Sequence, residues 1–240
     1  MRPLGAFFIM KRYSKITEKN KREIVLLRGR GCAYEKCAFC DYHLDRCADD
    51  QENLKLNQKV LTQVSGEFGN LEVINSGSVF ELGKETLELI RTTCRDKNIA
   101  TIHFESHYMY ERGIPNLREF FQGFDLKMKL GLETFDYHMR EHILHKGIAE
   151  QDPAPICRHF NEANLLFGIE GQSVESMRRD IRLGLEHLER LCVNIMCENS
   201  TEIKPSKGVI ADFMREIYPD IRDNERIDIL LNNTDFGVGD

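Results

Sequence analysis

The sequence predicts an α/β fold: a partial (β/α)6 barrel with a parallel sheet, in a single domain over residues 1–240, with a short C-terminal appendix at about 220–240. Three observations predict it. Short apolar runs alternate with longer amphipathic ones along most of the chain, the pattern of strand–helix units. Six such units in series favour a parallel sheet. They occupy too little chain for a complete eightfold barrel, which takes about 250 residues.

The elements follow in order. "EIVLLRG" reads as a strand that runs straight into a cysteine-rich loop. "NLKLNQKVLTQVSGEF" has apolar residues at helical spacing, and "LEVINSG" is a strand ending in a polar turn. "KETLELIRTTCRDKN" predicts a helix, "IATIHFES" a strand and "NLREFFQGF" a short helix. "LKMKLGLET" is the next strand, and "FDYHMREHILHKG" a helix closed by Gly147 as a C-cap. "NLLFGIEGQ" and "CVNIMCENS" are strands on either side of the long helix "VESMRRDIRLGLEHLERL". "KGVIADFMREIYP" is a helix stopped by Pro219, and "RIDILLNNTDFG" holds a last strand. The opening run "MRPLGAFFIMKRY" reads as a buried strand or apolar arm, since it lacks a signal-peptide cleavage site.

Composition narrows the function classes. With 41% hydrophobic and 30% charged residues the chain is an ordinary globular one. A net charge of -6 argues against a broad polyanion-binding surface, so nucleic acid is not expected as a partner. No apolar stretch approaches the ~18 residues that span a membrane. The expected compartment is a reducing cytoplasm, where closely spaced cysteines suggest metal before disulfides. Cys47, Cys94, Cys157, Cys192 and Cys197 are scattered and read as small buried hydrophobes.

Function in a strand–helix series gathers where strands end and helices begin. "GRGCAYEKCAFCDYHLD" lies at the end of the first strand and places Cys32, Cys37 and Cys40 in a C-x4-C-x2-C pattern. Structural zinc takes four protein ligands, and the fourth would be Cys47 or His43. A [4Fe–4S] cluster is instead held by three thiolates with one iron left open for a small molecule. Spacing favours the cluster and leaves zinc as the alternative.

The segments together resemble the radical S-adenosylmethionine (radical SAM) superfamily, from about residue 23 to about 200. "CAYEKCAFC" keeps that family's aromatic residue before the last cysteine, Phe39, but has four residues where three are usual. The resemblance implies a [4Fe–4S] cluster and S-adenosylmethionine as cofactors. It further implies cofactor contacts from Asn75, Ser76, Gly77 and Ser78 of "NSGS", from Glu105 of "FESH" and from Glu133 of "GLET". Gly168 and Glu170 of "GIEGQ" and Phe39 would lie near the adenine, Asn194 of "VNIMCENS" would help close the pocket from the sixth strand, and Arg140 would reach towards the cofactor carboxylate. "HMREH" matches an inverted zinc-protease pattern, but its place on an outer-ring helix argues for a solvated face.

By this resemblance the cluster reduces the sulfonium and a 5′-deoxyadenosyl radical takes hydrogen from substrate, so no protein residue has to act as a strong base in that step. Asp41, Tyr42, His43, His107, Tyr108, Glu198 and Asn199 are the candidates to orient substrate. With no second cysteine cluster and no basic appendix, a small nucleoside-type substrate is expected. An external electron donor such as flavodoxin or ferredoxin is implied. Among compact members the chain most resembles the queuine lyases of queuosine salvage, which implies release of queuine from queuosine or queuosine 5′-phosphate. Two alternatives stand beside this: a radical SAM enzyme modifying tRNA or another nucleoside, and a zinc-stabilised binding module without catalysis.

Overall fold

The computed structural model describes residues 10–239, the side chain of His43 excepted. The N-terminal apolar run up to residue 9, and His43 as a substrate or zinc ligand, lie outside the described residues. Eight strands form one sheet in sequence order: β1 (Tyr13–Ile16), β2 (Arg22–Leu27), β3 (Asn70–Asn75), β4 (Thr101–Ser106), β5 (Asp125–Glu133), β6 (Glu162–Phe167), β7 (Arg190–Ile195) and β8 (Ile227–Leu230). Each pair from β2 to β8 is parallel, and β1 adds an antiparallel edge on β2. The sheet curls into a half-barrel. The edge strand β1 has no clear alternation of apolar and polar residues, so its pattern gave no signal. The C-terminal stretch contributes β8, the expected last strand.

Five main helices cover the outer face: α1 (Asp50–Leu61), α2 (Lys84–Asp96), α3 (Ile114–Phe120), α5 (Val174–His187) and α6 (Lys207–Glu216). The short α4 (Pro153–Cys157) and α7 (Tyr218–Ile221) complete the set, each with a proline in its first turn. Pro219 thus ends α6 and opens α7. Asp49 caps α1 by accepting from the amides of Gln51 and Glu52, and Ser173 caps α5 in a reciprocal box with Ser176. Gly184 sits mid-helix in α5 because a Cβ there would meet the Leu191 side chain at 2.6 Å, so α5 packs close on β7. Among the described residues no helix is long and apolar enough to cross a membrane.

One expected helix forms only in part. From 139 to 143 the chain makes a single wide turn of π-helix, then leaves it through His145 and Gly147, both at positive φ. The cysteine loop takes the carbonyls at this point. The Leu144 oxygen accepts from Ala38 N at 3.0 Å, and the His145 oxygen from the Tyr34 hydroxyl at 2.8 Å.

Alternation along the strands sorts residues to two faces. Val25, Leu27, Val73, Phe104, Leu130, Leu165 and Val193 belong to the main apolar core beneath the helices. Their neighbours face the concave side, which is polar at its floor. Arg22 pairs there with Glu72 and Asp228, Lys129 with Glu72, and Arg190 with Glu162 and Asp228, while His103 bonds Glu162 at 2.9 Å. Burial alone would push the Glu72 carboxyl up, but Arg22, Lys129 and Arg190 hold it well below the usual range. The floor also laces the open side of the half-barrel: Arg22 of β2 meets Asp228 of β8 at 2.9 Å across 206 residues, and Lys11 bridges Gly239.

Candidate active site

Three elements clamp the cysteine loop at the C-terminal rim of the strands. The first is the turn after β3. There Glu81 accepts from Ser78 N at 2.5 Å on one oxygen, and from Ala33 N at 2.7 Å and the Tyr110 hydroxyl at 3.0 Å on the other. Gly77 lies directly against the loop, since a Cβ on it would come within 3.1 Å of the Cys32 backbone. The second clamp is the 144–147 segment, on which Tyr34 packs; its ring stacks on His107 with centroids 4.4 Å apart. The third follows β7. Asn199 donates to the Phe39 carbonyl at 2.6 Å, and Asp41 accepts from Ser200 N and Oγ, both at 2.9 Å.

The clamps hold Cys32, Cys37 and Cys40 half-buried. Burial pushes the Cys32 thiol up, Cys37 to about 12 and Cys40 to about 11, and Lys146 pulls each of them back down. Free thiols here would stay protonated, so a cationic ligand is needed to hold them as thiolates. Among the described residues no three His, Cys, Asp or Glu side chains are grouped as one metal ion would require. A [4Fe–4S] cluster spreads its thiolates over different irons, so three separated sulfurs on one loop beside a buried cation fit it. Cys47, the fourth ligand of the zinc alternative, faces the Asp49 carbonyl at the head of α1 instead. The rings of His138 and His142 of "HMREH" lie tilted against each other with centroids 5.2 Å apart, and Glu141 is bonded to Arg140 and the Ile148 amide.

Lys146 is the central group that the sequence did not single out. Its ammonium is buried, meets Glu133 Oε1 at 2.9 Å and lies 5.5 Å above the Phe39 ring. Burial would pull it down, but Glu133 and the Cys37 sulfur raise it overall. Glu133 itself stands at φ +72, at a register shift between β5 and β6 that turns its carboxylate inward. Its local sequence carries no sign of this pairing. Glu81 had a readable signal, because Ser78 followed by Glu81 is a capping-box pattern.

Of the residues expected at the cofactor, Phe39 joins a small second apolar cluster at the rim with Met139, Leu144, Leu166, Ile169 and Met196. Ser76 bonds Asp45 at 3.2 Å, Asn75 bonds the Ser78 carbonyl at 3.1 Å, and Ser78 Oγ accepts from His107 N at 2.8 Å. These contacts make the "NSGS" turn rigid. Asn194 donates in long bonds, 3.4 and 3.5 Å, to the carbonyls of Cys192 and Leu165, and its side-chain oxygen accepts from the Cys192 thiol at 3.8 Å. Gly168, at φ +93, is packed so closely on Ile210 that no side chain fits, and Glu170 is exposed on Ser206 at 2.7 Å.

Several expected roles change with their surroundings. Arg140 does reach inward, but its guanidinium is fully buried on the carbonyls of Thr134, Phe135, Ile148 and Glu150, so it holds the fold and has nothing left for a cofactor. His107 donates from Nε2 to the Lys146 carbonyl at 2.8 Å and accepts at Nδ1 from Met109 N. Burial, then Lys146, lower its pKa to about 4, so the neutral ring is a brace. Tyr108 packs towards Phe160 and the outer core. Glu198 is largely exposed, 3.9 Å from Lys204, and Asp41 and Asn199 are spent on the clamp. Tyr42 is 57% exposed, yet burial of its hydroxyl, then Cys40, Glu105 and Glu133, push the phenol up.

A three-thiol loop on the rim of an open half-barrel, above a polar lumen, makes this chain a radical SAM enzyme. SuiB from Streptococcus suis shares the fold at 15% identity and a TM-score of 0.54, over 85% of this chain and 48% of that one. Methylornithine synthase shares it at 16% identity and a TM-score of 0.52, over 82% and 62%. A much nearer likeness is the queuine lyase from Clostridium spiroforme, solved bound to SAM and queuine. It is 44% identical over 96% of this chain and 100% of that one, with a TM-score of 0.92. The chain belongs to the queuine lyase family. No protein-family model and no curated protein matches it.

Proposed function

We propose that this chain is a lyase that releases queuine from queuosine or queuosine 5′-phosphate, using S-adenosylmethionine and a [4Fe–4S] cluster held by Cys32, Cys37 and Cys40. The near full-length 44% identity to a queuine lyase that binds SAM and queuine carries this reading. When bound, the cluster and S-adenosylmethionine supply the one-electron chemistry that starts the hydrogen abstraction. The chain's own residues hold and shield. Glu81, Tyr34 and Asn199 hold the loop, and Lys146 sets a positive charge beside the thiolates. Phe39, Leu166 and Met196 offer an apolar shelf for a purine ring, with Asn194 at its edge. The turn Asn75–Ser78 and Glu133 would hold the polar end of the cofactor. Tyr42, next along the chain from the thiol loop, would help exclude water when substrate fills the concave face. An external donor such as flavodoxin or ferredoxin supplies the electron, and the enzyme works in the cytoplasm on a free nucleoside.

Anaerobic reconstitution tests the reading, with iron, sulfide and reductant-dependent 5′-deoxyadenosine measured with and without queuosine. Wild type should hold about four irons per chain and release queuine. C32A, C37A and C40A should lose both, and C47A neither. A protein that takes up one zinc, or that cleaves S-adenosylmethionine only with tRNA, would overturn it.

A further inference from the structure

Towards their C-terminal ends, beyond Lys127 on β5, the inner strands each leave one position partly open to solvent: Leu26, Ile74, Glu105, Gly131, Asn164 and Asn194. Their neighbours along each strand lie in the core beneath the helices, so all six face the lumen. Leu26 pairs in register with Ile74, and Gly131 with Asn164, while the set steps two residues up the strand between Glu105 and Gly131 and again between Asn164 and Asn194, a rising band across the lumen. One side of the band is apolar and the other polar, and Gly131 leaves a gap between them. Such a band suits a flat heteroaromatic ring with donors on one edge.

Charge singles out one member. Among the charged residues of the floor, Arg22, Lys129 and Arg190 are matched by Glu72, Glu162 and Asp228, each at most 8% exposed. Glu105 is a further carboxylate, with a side chain 25% exposed. Its Oε1 accepts from Asn164 at 3.2 Å and lies 3.5 Å from Lys129, whose closer partner is Glu72. Its Oε2 has no hydrogen-bond partner among the described residues. Glu105 pairs in register with Lys129, four residues before Glu133 on β5, so its carboxylate sits beside the floor charges. The resemblance gave Glu105 to the cofactor; its part-exposed, unpartnered oxygen beside the floor charges makes it available to whatever enters the lumen.

We propose that Glu105 receives the protonated secondary amine of the substrate base, with the ring between Leu26 and Ile74 on one side and the amides of Asn164 and Asn194 on the other. This rests on the queuine lyase reading. Asp41 and Glu198, the other carboxylates among the substrate candidates, are bonded to Ser200 or out in solvent.

Calorimetry on anaerobic holoenzyme tests it, with queuine, with 7-cyano-7-deazaguanine (the same ring without the amine) and with S-adenosylmethionine. Glu105→Gln should weaken queuine binding at least tenfold, reduce the preference for queuine over the amine-free ring by the same factor, and leave S-adenosylmethionine binding unchanged. Glu105→Asp, which keeps the charge but withdraws it, should fall between, and serves if the glutamine variant does not load iron. An equal loss for both rings would mean that Glu105 reads the ring edge. A loss for S-adenosylmethionine alone would return it to the cofactor. Either result, or no loss, overturns the proposal while the lyase reading stands. Wild-type enzyme that binds no queuine overturns the lyase reading and this proposal with it.

Discussion

Replacing Lys146 by methionine keeps the length and apolar stem of the side chain and removes one charge. The partner, Glu133, has a side chain only 9% exposed and then has no cation to meet. Breaking a buried pair from one side costs about 3–5 kcal/mol, because the remaining charge stays desolvated. For a chain of this size each kcal/mol moves the melting midpoint by roughly 2–4 °C. Iron-free K146M should therefore melt about 6–20 °C below wild type. The double variant K146M/E133Q removes the stranded charge and should recover at least half of that loss. Melting followed by circular dichroism, under identical anaerobic conditions for all the variants, measures this. A single variant within about 2 °C of wild type, or a double variant no better than the single, would refute the reasoning. After reconstitution the same substitution should shift the cluster midpoint to more negative potential, since a cation beside the thiolates favours the reduced state.

Other expectations concern the clamp and the floor. Glu81→Gln turns an amide group towards a backbone N–H, which costs about 1–3 kcal/mol; iron per chain should fall, with melting a few degrees lower. Gly77→Ala places a Cβ 2.1 Å from Glu81 Oε2 and 3.1 Å from Cys32 N, and iron analysis should show a similar loss. On the floor, burial would raise the Glu162 carboxyl, but His103 and Arg190 hold it down at about 2 against an ordinary 4.5. A depressed carboxyl stabilises the fold above pH 4.5 and loses that contribution as pH falls towards 2, up to about 3 kcal/mol in all. Denaturant melts between pH 6 and 2.5 should show this slope in wild type and a shallower one in Glu162→Gln.

Strands β2 to β7 were legible because each pairs a run of core residues with a glycine or polar stop, and the amphipathic helices between them repeat at 3.6 residues. Cys32, Cys37 and Cys40 were legible for a different reason: three thiols so close together in one loop have few other uses. What stayed hidden depends on contacts between distant parts of the chain. Lys146 and Glu133 meet through a left-handed turn and a register shift that no local pattern encodes. The residues 139–147 read as helix because their apolar spacing is helical, and only the hydrogen bonds from Ala38 and Tyr34 draw the chain away. The floor charges carry no local signal, because burial of a lysine in mid-strand follows from curvature of the whole sheet.

The tie between Arg22 and Asp228 also orders events in time. A contact that closes a loop of 206 residues forms late, because its entropic cost is met only after the intervening units have assembled. The clamps on the cysteine loop from Glu81 and from the 144–147 segment use only the first two-thirds of the chain. During synthesis the metal-binding loop can take shape while the chamber beneath it is still open at the side. The last strand then seals that chamber, so the site where a radical would be most exposed to stray partners is enclosed only once the molecule is whole.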